Sequence, residues 1–305
     1  MSRHSPTDAP RIRNWPIPFA GVAILAVFCA LSIYEPRFVK AIALQTYDML
    51  LAANAVPPAS GKVVLVDIDD ESIRKIGQWP WSRHLVARLA DRLWDAQAAA
   101  LVFDVGFSEP DRLSPANAFA FWDKSLPGQN LAPVHRESLP DFDEMFAQAL
   151  ARGPSVLGFY VNPSDVPLAQ VPDDSQIPWR GTYFEKGHGR SFLPQGAAIP
   201  NPPIAPLREQ ARLGCFNATP DQDNIVRRGP LVFAVGPERI FPSLAMEAFR
   251  LHEGDPPLGI QYDSEGVAGV ASLQVGPRTI PTDANARLII NFRSSRFPAV
   301  SAAQV

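Results

Sequence analysis

Acidic residues follow two apolar runs of the sequence, and their types and spacing suggest a cation site. Asp67 and Asp69 close the run VVLVDID, and Asp104, Glu109 and Asp111 lie in or just after the run LVFDVGF. If the two runs are parallel strands, their carboxyl ends meet at one edge of a sheet, where ligands usually bind. Converging carboxylates must be protonated, paired or bound to a cation, and oxygen ligands suit Ca²⁺ or Mg²⁺. The sequence therefore predicts that these five residues hold a divalent ion.

The same carboxylates have two other interpretations, which the sequence leaves open. In the first, Asp69 caps the turn that follows it, Asp104 accepts backbone N–H bonds, and Arg83 neutralises a third carboxylate. In the second, VVLVDID resembles the opening of haloacid-dehalogenase-type phosphatases, which implies a Mg²⁺-dependent hydrolase with Asp67 as nucleophile and Asp69 as acid/base. The Asp-Glu pair that comes next departs from the Gly/Thr-like continuation of those enzymes.

A tryptophan-rich segment, WPWSR, is a second candidate site. It contains Trp79, Trp81 and Arg83 and lies between the first apolar run and a helical pattern. Two indoles and a guanidinium can stack on a planar, sugar or cationic ligand and add directed polar contacts, so these residues are predicted to bind a small ligand. The alternative is a lid packed over the sheet edge, with the intervening proline fixing the turn.

A third candidate is the polar segment from residue 217 to residue 228, in which Asn217, Asp223 and Arg227 are predicted to bind a ligand. The segment has the Asp-x-Asp start of a calcium-binding EF-hand loop, but its twelfth position is Val232 and not the bidentate carboxylate that such a loop needs. An EF-hand is therefore excluded. The alternative to a ligand site is a loop in which Asp223 pairs with Arg227 or Arg228.

Composition excludes several classes of function. The 305 residues carry 28 basic and 31 acidic side chains, a net charge of -3, so no basic field is present to hold nucleic acid. Two cysteines are too few for a disulfide framework, and the five histidines show no metal-ligand spacing. Neither a GxSxG motif nor a P-loop occurs. The 32 prolines indicate that much of the chain is loop.

The amino end carries an uncharged apolar segment. Residues 15–34 are long enough to span a bilayer as one transmembrane helix, and residues 1–14 carry three arginines against one aspartate. This bias predicts a cytoplasmic tail and a main domain in the periplasm. A cleaved signal peptide, with a small-x-small site at residues 30–32, is the alternative. Residues 35–58 are predicted as a stalk or docking helix, and a homodimer would form through this stalk and the membrane helix.

Residues 59–305 alternate strand-like and helix-like patterns, which predicts an α/β domain. The first unit is expected to be a βαβ unit, with neighbouring parallel strands at 62–69 and 100–108 and a helix at 82–98. The expected fold is a mixed, mainly parallel sheet flanked by helices, with a proline-rich insertion at 162–201 over the sheet. The other predicted elements are helices at 141–152 and 243–252 and strands at 155–161, 231–235, 271–275, 278–281 and 287–292.

Seven segments together resemble the CHASE2 domain, an extracytoplasmic sensor module of bacterial transmembrane receptors. They occur in the family's order over nearly all of residues 36–305, and the ordered set carries the resemblance. The segments are Tyr47-Asp48, VVLVDIDDESI from Val63, WPWSR from Trp79, LVFDVGFSEPD from Leu101, GCFNATPDQDNIVRR from Gly214, FPSLAMEA from Phe241 and IPTDANARLIINFR from Ile280.

The resemblance implies a sensor in the inner (cell) membrane whose signal passes to a cytoplasmic output, commonly an adenylate or guanylate cyclase or a kinase. It implies no catalytic residues. Family members usually return through further transmembrane helices, and no second spanning run follows the predicted domain, so the output is expected outside this chain. In this interpretation an unidentified small ligand or ion in the acidic crevice favours one orientation of the stalk.

Overall fold

The computed structural model contains two compact units, Met1–Pro57 and Pro58–Val305. The predicted tail at 1–14 and half of the predicted insertion, residues 163–180 and 197–198, lie outside the described residues. The structure describes residues 16–34, 36–53, 61–125, 139–162, 181–196, 199–221, 223–235, 239–263, 269–292 and 297–305.

The described part of the first unit consists of two helices, α1 (Pro16–Tyr34) and α2 (Arg37–Ala53). Pro36 separates them, because a proline disfavours helical backbone at the residue before it and is well suited to begin the next helix. No single described helix is long and apolar enough to cross a membrane. The segments Phe19–Tyr34 and Phe38–Ala53, bent by 79° at the break, meet that test together by length and composition. The single membrane helix at 15–34 therefore stays a prediction.

Helices and strands alternate over the first part of the second unit, up to residue 162, and from residue 183 onward most strands follow one another directly. The unit ends with a 3-10 helix at Ala302–Gln304. The helices are α3 (Asp70–Ile76), α4 (Arg83–Asp95), α5 (Pro115–Ser125), α6 (Phe142–Leu150), α7 (Ala205–Gln210) and α8 (Leu244–His252). The strands are β1 (Leu65–Asp67), β2 (Leu101–Gly106), β3 (Ser155–Asn162), β4 (Tyr183–Lys186), β5 (Gln195–Gly196), β6 (Ile199–Asn201), β7 (Arg212–Cys215), β8 (Arg228–Pro230), β9 (Val232–Val235), β10 (Arg239–Pro242), β11 (Leu258–Tyr262), β12 (Val270–Val275), β13 (Arg278–Pro281), β14 (Arg287–Ile289) and β15 (Ala299–Ser301).

The main sheet has β3 at its centre. β2 and β7 flank β3 and run parallel to it, with Leu101 opposite Ser155 and Val156 opposite Arg212. β6 pairs antiparallel with the carboxyl-terminal half of β3. α6 lies on the chain between β2 and β3 and packs against α4, so the helices cover the parallel strands. The core between these layers includes Trp81, Val86, Phe107, Phe146, Leu150, Leu157, Phe159, Leu213 and Phe241.

The predicted pairing of the first two strands is wrong. β1 is only three residues long and pairs in parallel with β15, so that Leu65 lies opposite Ala299, whereas β2 pairs with β3. In the described part of the chain, β1 and β15 form a two-stranded sheet. The partners lie near opposite ends of the domain's sequence, and a local pattern of apolar residues carries no information about such a pairing.

A second sheet has the strand order β13-β12-β11-β4. β12 and β13 form the predicted hairpin, in which Val275 pairs with Arg278 and Gly276 has a φ of 55°, a left-handed conformation that glycine adopts without strain. β11 runs antiparallel to β12 and parallel to β4. The inner face of this sheet packs on a second core that includes Leu193, Val232, Ile240, Leu258, Ile260, Leu273 and Val275.

The described parts of the predicted insertion, residues 181–196 and 199–201, add strands to the sheets. β4 pairs with β11, β5 with β9 and β6 with β3. Across the described residues, five of the ten strand pairings are parallel and five are antiparallel. The domain is therefore a mixed α/β fold, and the expected parallel majority is not observed there because hairpins and the added strands supply antiparallel pairs.

Candidate functional site

Three charged side chains from separate elements come together beside the main sheet. Arg83 is the first residue of α4, Asp111 lies in the loop after β2, and Asp143 is in the first turn of α6. We call these three residues the Arg83 cluster. Asp141 positions Asp143, because its carboxylate caps α6 by accepting hydrogen bonds from the backbone N–H of Asp143 at 2.9 Å and of Glu144 at 3.4 Å.

Asp111 connects the loop after β2 to both helices. Ser82 occupies the N-cap position of α4 without a side-chain capping bond, and Asp111 supplies the acceptor instead, since its Oδ2 accepts the Arg83 backbone N–H at 2.7 Å. Its Oδ1 accepts the Leu113 N–H at 2.9 Å, and its own N–H donates to Asp143 Oδ2 at 2.8 Å. A carboxylate at a helix N-terminus is favoured by the helix dipole, so Asp111 stabilises the start of α4 from another element.

Arg83 and Asp143 form a buried ion pair that lacks a hydrogen bond. The Arg83 side chain is 11% exposed and that of Asp143 is 6% exposed, and Arg83 Nε lies 3.6 Å from Asp143 Oδ1. Among the residues that the structure describes, neither of these two buried atoms has a hydrogen-bond partner. The guanidinium does have other contacts, because Nη2 donates to the Glu109 carbonyl oxygen at 3.3 Å and the group lies 4.6 Å from the centroid of the Phe107 ring.

Burial controls the ionisation of this pair. Desolvation raises the pKa of Asp143 above its ordinary value, although the hydrogen bond from the Asp111 N–H and the charge of Arg83 act in the opposite direction. Desolvation likewise lowers the pKa of Arg83, while the charges of Asp143 and Asp111 raise it. The cluster therefore joins α4, α6 and the loop after β2 through buried charges. It holds one donor and one acceptor for which the described part of the chain supplies no hydrogen-bond partner.

The structure brings together three of the residues predicted from sequence and adds one. Arg83 and Asp111 meet directly, and Glu109 contributes its carbonyl oxygen to the same place. Asp143 was missed by the sequence analysis. The Asp-x-Asp pattern at the start of α6 marks a helix N-terminus, but it does not indicate that the second aspartate faces an arginine 60 positions earlier.

Asp69 acts as a helix cap and joins two distant parts of the domain. Its Oδ1 accepts hydrogen bonds at 2.8 Å from the Ser72 backbone N–H, the Ser72 hydroxyl and the Ser301 hydroxyl. These hydrogen bonds lower the pKa of Asp69, with the one from the Ser72 N–H having the largest effect. The Ser72 hydroxyl in turn accepts the Ala303 N–H at 3.0 Å. The interpretation of Asp69 as a cap is thus confirmed.

The remaining predicted cation ligands, Asp67 and Asp104, are exposed on β1 and β2. Among the residues that the structure describes, no group of three or more histidine, cysteine, aspartate or glutamate side chains could hold a metal ion. Asp69 and Asp111 use their carboxylate oxygens for hydrogen bonds to the protein. The divalent-ion site gains no support from this arrangement and stays a prediction.

The two tryptophans of WPWSR pack against each other. Their ring centroids are 5.6 Å apart in an edge-to-face arrangement, and Trp81 Nε1 donates to the Gly77 carbonyl oxygen at 2.8 Å. Trp81 is buried in the main core and Trp79 is partly buried against it. This geometry agrees with a packed lid, and only Trp79 and Arg83 retain surface that a ligand could touch.

In the third candidate segment, Arg227 pairs with Asp223 through two hydrogen bonds, Nη1 to Oδ1 at 2.8 Å and Nη2 to Oδ2 at 2.7 Å. This pairing lowers the pKa of Asp223 to about 2. Arg228 pairs with Asp221 at 2.7 Å. The predicted ion pair is therefore confirmed. Asn217 has a structural role as well, since its side-chain amide exchanges two hydrogen bonds with the Val161 backbone, at 2.7 and 2.8 Å.

The fold and the site together define a mixed α/β domain with a buried, charged polar centre. The family model of the CHASE2 domain matches residues 22–305. The chain therefore belongs to the CHASE2 family, whose members are extracellular sensor domains. No curated protein and no solved structure matched the chain.

Proposed function

We propose that this chain is a membrane-anchored sensor whose second unit lies in the periplasm and passes a signal to a cytoplasmic cyclase or kinase outside the chain. The observation that carries the proposal is the family match, which covers the second unit and most of the two helices before it. The uncharged sequence of α1 and the three arginines that precede it support an anchor with a cytoplasmic amino end.

Reporter fusions after Val305 test this placement. Alkaline phosphatase folds actively only outside the cytoplasm, whereas green fluorescent protein becomes fluorescent when it stays inside. We expect that the phosphatase fusion is active, that the fluorescent-protein fusion does not fluoresce, and that both are recovered in the membrane fraction. Deletion of residues 15–34 is the matched control and should reverse both signals. A fluorescent fusion of the full chain would overturn the placement, and recovery in the soluble fraction would favour a cleaved signal peptide.

The proposal includes a homodimer through the two helices. On α2, Phe38, Ile42 and Met49 are 59%, 60% and 73% exposed, and their spacing places them on one helix face. The opposite face carries Tyr47, which is partly buried. In a Cys29→Ser background, Met49→Cys should form a disulfide-linked dimer under mild oxidation, and Tyr47→Cys should not. Equal cross-linking of the two variants, or none, would contradict this interface.

The proposed signal is a ligand or ion that binds the folded second unit. For the ion, the test is thermal unfolding of the full chain in detergent with Ca²⁺ or Mg²⁺ at about 1 mM, the weak end for extracellular calcium modules, and with a chelator. A rise in melting temperature that chelator and Asp67→Asn abolish, but Glu144→Gln does not, would support the cation at Asp67, Asp69, Asp104, Glu109 and Asp111. No shift with either ion would leave these residues as caps and ion-pair partners.

A further inference from the structure

A shallow depression of about 200 Å³ lies on the outer face of the second sheet. The inner face of the same four strands carries the apolar side chains of the second core. Because side chains alternate between the two faces of a strand, the residues between those core positions point outward. The side chains that line the depression are Phe184, Lys186, Gln261, Ser272, Gln274 and Thr279.

Strand register arranges these side chains in two rows across the sheet. In one row Phe184 lies opposite Gly259, which lies opposite Gln274, and Gln274 lies opposite Thr279. In the other row Lys186, Gln261 and Ser272 are neighbours on successive strands. An aromatic ring and a cation therefore stand at one side of the depression, and amide and hydroxyl groups stand at the other.

Gly259 allows the aromatic ring to lie across the sheet. A Cβ atom at this position would lie 2.5 Å from Phe184 Cζ and 2.8 Å from Cε2, so any larger residue would displace the ring. Phe184 is 38% exposed, and the exposed Lys186 side chain places its Nζ over the ring, 5.7 Å from the centroid. The ring thus offers an accessible apolar surface beside a cation.

The two glutamines are held in place and keep acceptors available. Gln261 Nε2 donates to the Tyr262 carbonyl oxygen at 3.1 Å, and Gln274 Nε2 donates to the Gly276 carbonyl oxygen at 3.3 Å. Within the described residues, neither side-chain oxygen accepts a hydrogen bond. Each glutamine therefore presents an oriented acceptor to a ligand, and Ser272 and Thr279 add hydroxyl groups that both donate and accept.

Lys186 gives the depression one positive charge. It is exposed, and no described carboxylate lies within ion-pair distance of its ammonium group. None of the residues that line the depression is acidic. A ligand with a single carboxylate would complement this charge.

We propose that the outer face of the second sheet binds a sugar acid, a six-membered polyhydroxylated ring with one carboxylate. The apolar C–H face of the ring stacks on Phe184, the carboxylate pairs with Lys186, and the ring hydroxyls bond to Gln261, Gln274 and the neighbouring hydroxyl groups. A volume of about 200 Å³ accommodates one such ring. A purely apolar ligand would leave the amide oxygens unpaired, and a polyphosphate would need more than one cation.

The test is isothermal titration of the full chain in detergent with D-glucuronate, D-glucose and acetate. The sugar acid combines all the contacts, glucose lacks the carboxylate, and acetate lacks the ring. We expect measurable binding of D-glucuronate, binding of D-glucose that is about tenfold weaker because the charged contact is lost, and no binding of acetate.

Two variants and one control assign the binding to this face. Lys186→Gln should reduce the affinity for D-glucuronate about tenfold and leave that for D-glucose unchanged, because it removes only the charged contact. Gln274→Leu should weaken both sugars, since it replaces an oriented acceptor by an apolar side chain. Lys124→Gln, on α5, changes the net charge equally and should have no effect. Thermal unfolding shows whether each variant remains folded.

No binding of D-glucuronate up to about 10 mM, a concentration at which even weak sites are occupied, would overturn the proposal. Binding that both Lys186→Gln and Gln274→Leu leave unchanged would also overturn it, because the ligand would then lie elsewhere. Equal binding of D-glucose and D-glucuronate would exclude the role of the carboxylate. None of these results depends on the reporter fusions, so this proposal and the sensor proposal can fail separately.

Discussion

Replacement of Arg83 by methionine should destabilise the second unit by about 3 kcal/mol at pH 8. Removal of one partner from a buried ion pair costs about 3–5 kcal/mol, because the other charge stays buried. The lower end applies here, since Arg83 Nε and Asp143 Oδ1 are 3.6 Å apart without a hydrogen bond, and Asp143 Oδ2 keeps the bond from the Asp111 N–H. Methionine retains most of the apolar contact that the arginine chain makes.

The loss should become smaller as the pH falls. Burial already raises the pKa of Asp143 in the folded state, and loss of the Arg83 charge raises it further. Between the unfolded and the folded pKa, the folded variant therefore binds more protons than the unfolded variant, so its free energy of unfolding increases as the pH decreases. The lowered pKa of Asp223 makes the free energy of unfolding decrease as the pH falls. This effect is the same in the wild type and in Arg83→Met, so it cancels in the stability difference between them.

The assay is urea unfolding of the full chain in detergent at pH 5 and pH 8, followed by tryptophan fluorescence. In the Arg83→Met background, Asp143→Asn should restore stability at pH 8 and make the remaining difference from wild type smaller and less dependent on pH, because the amide is uncharged and still accepts the Asp111 N–H. Arg152→Met is the matched control on an exposed ion pair and should change stability much less. A loss for Arg83→Met that is the same at both pH values, or that Asp143→Asn does not reduce, would refute the reasoning.

Three further predictions use the same unfolding assay. Ser72→Ala should lower the free energy of unfolding by about 1–2 kcal/mol, because the buried hydroxyl contacts the Ser301 hydroxyl and accepts the Ala303 backbone N–H. An unchanged free energy of unfolding would mean that water takes the place of the hydroxyl. Gly214→Ala should lose about 1–3 kcal/mol, since a Cβ there would lie 2.5 Å from the backbone Cα of Leu244; a neutral result would show that α8 can shift. Arg250→Met should lose about 3–5 kcal/mol, because the fully buried Glu247 carboxylate then lacks its ion-pair partner, and a loss below about 1 kcal/mol would contradict this reasoning.

Local sequence patterns predicted elements that are defined by their own residues. The ends of β2, β3 and α6 lie within two residues of the predicted ends. The hairpin of β12 and β13 turns at the expected glycine. The capping role of Asp69 and the pairing of Asp223 with Arg227 were also open to prediction, because both join residues at most four positions apart. Periodicity and short-range polar pairing carry this kind of information.

Features that depend on distant partners were not predictable in the same way. The pairing of β1 with β15 and of β4 with β11 joins segments that no local pattern connects. The same holds for Asp143, which looks like an ordinary helix-start residue until the fold places it beside Arg83. The acidic residues were predicted to converge because β1 and β2 were expected to be neighbours. Once β15 becomes the partner of β1, that argument for a shared carboxylate crevice no longer applies.

In the proposed sensor, the segment from Leu65 to Arg83 links the sequence after α2 to two distant parts of the domain. It follows α2 in the sequence, Ser72 bonds to Ser301 near the far end of the domain, and Arg83 meets Asp143 of α6. In the proposed sensor, a ligand that shifts either contact would alter the segment that follows the predicted stalk in the sequence. Such a ligand would act only through a difference in its affinity for two arrangements of this segment.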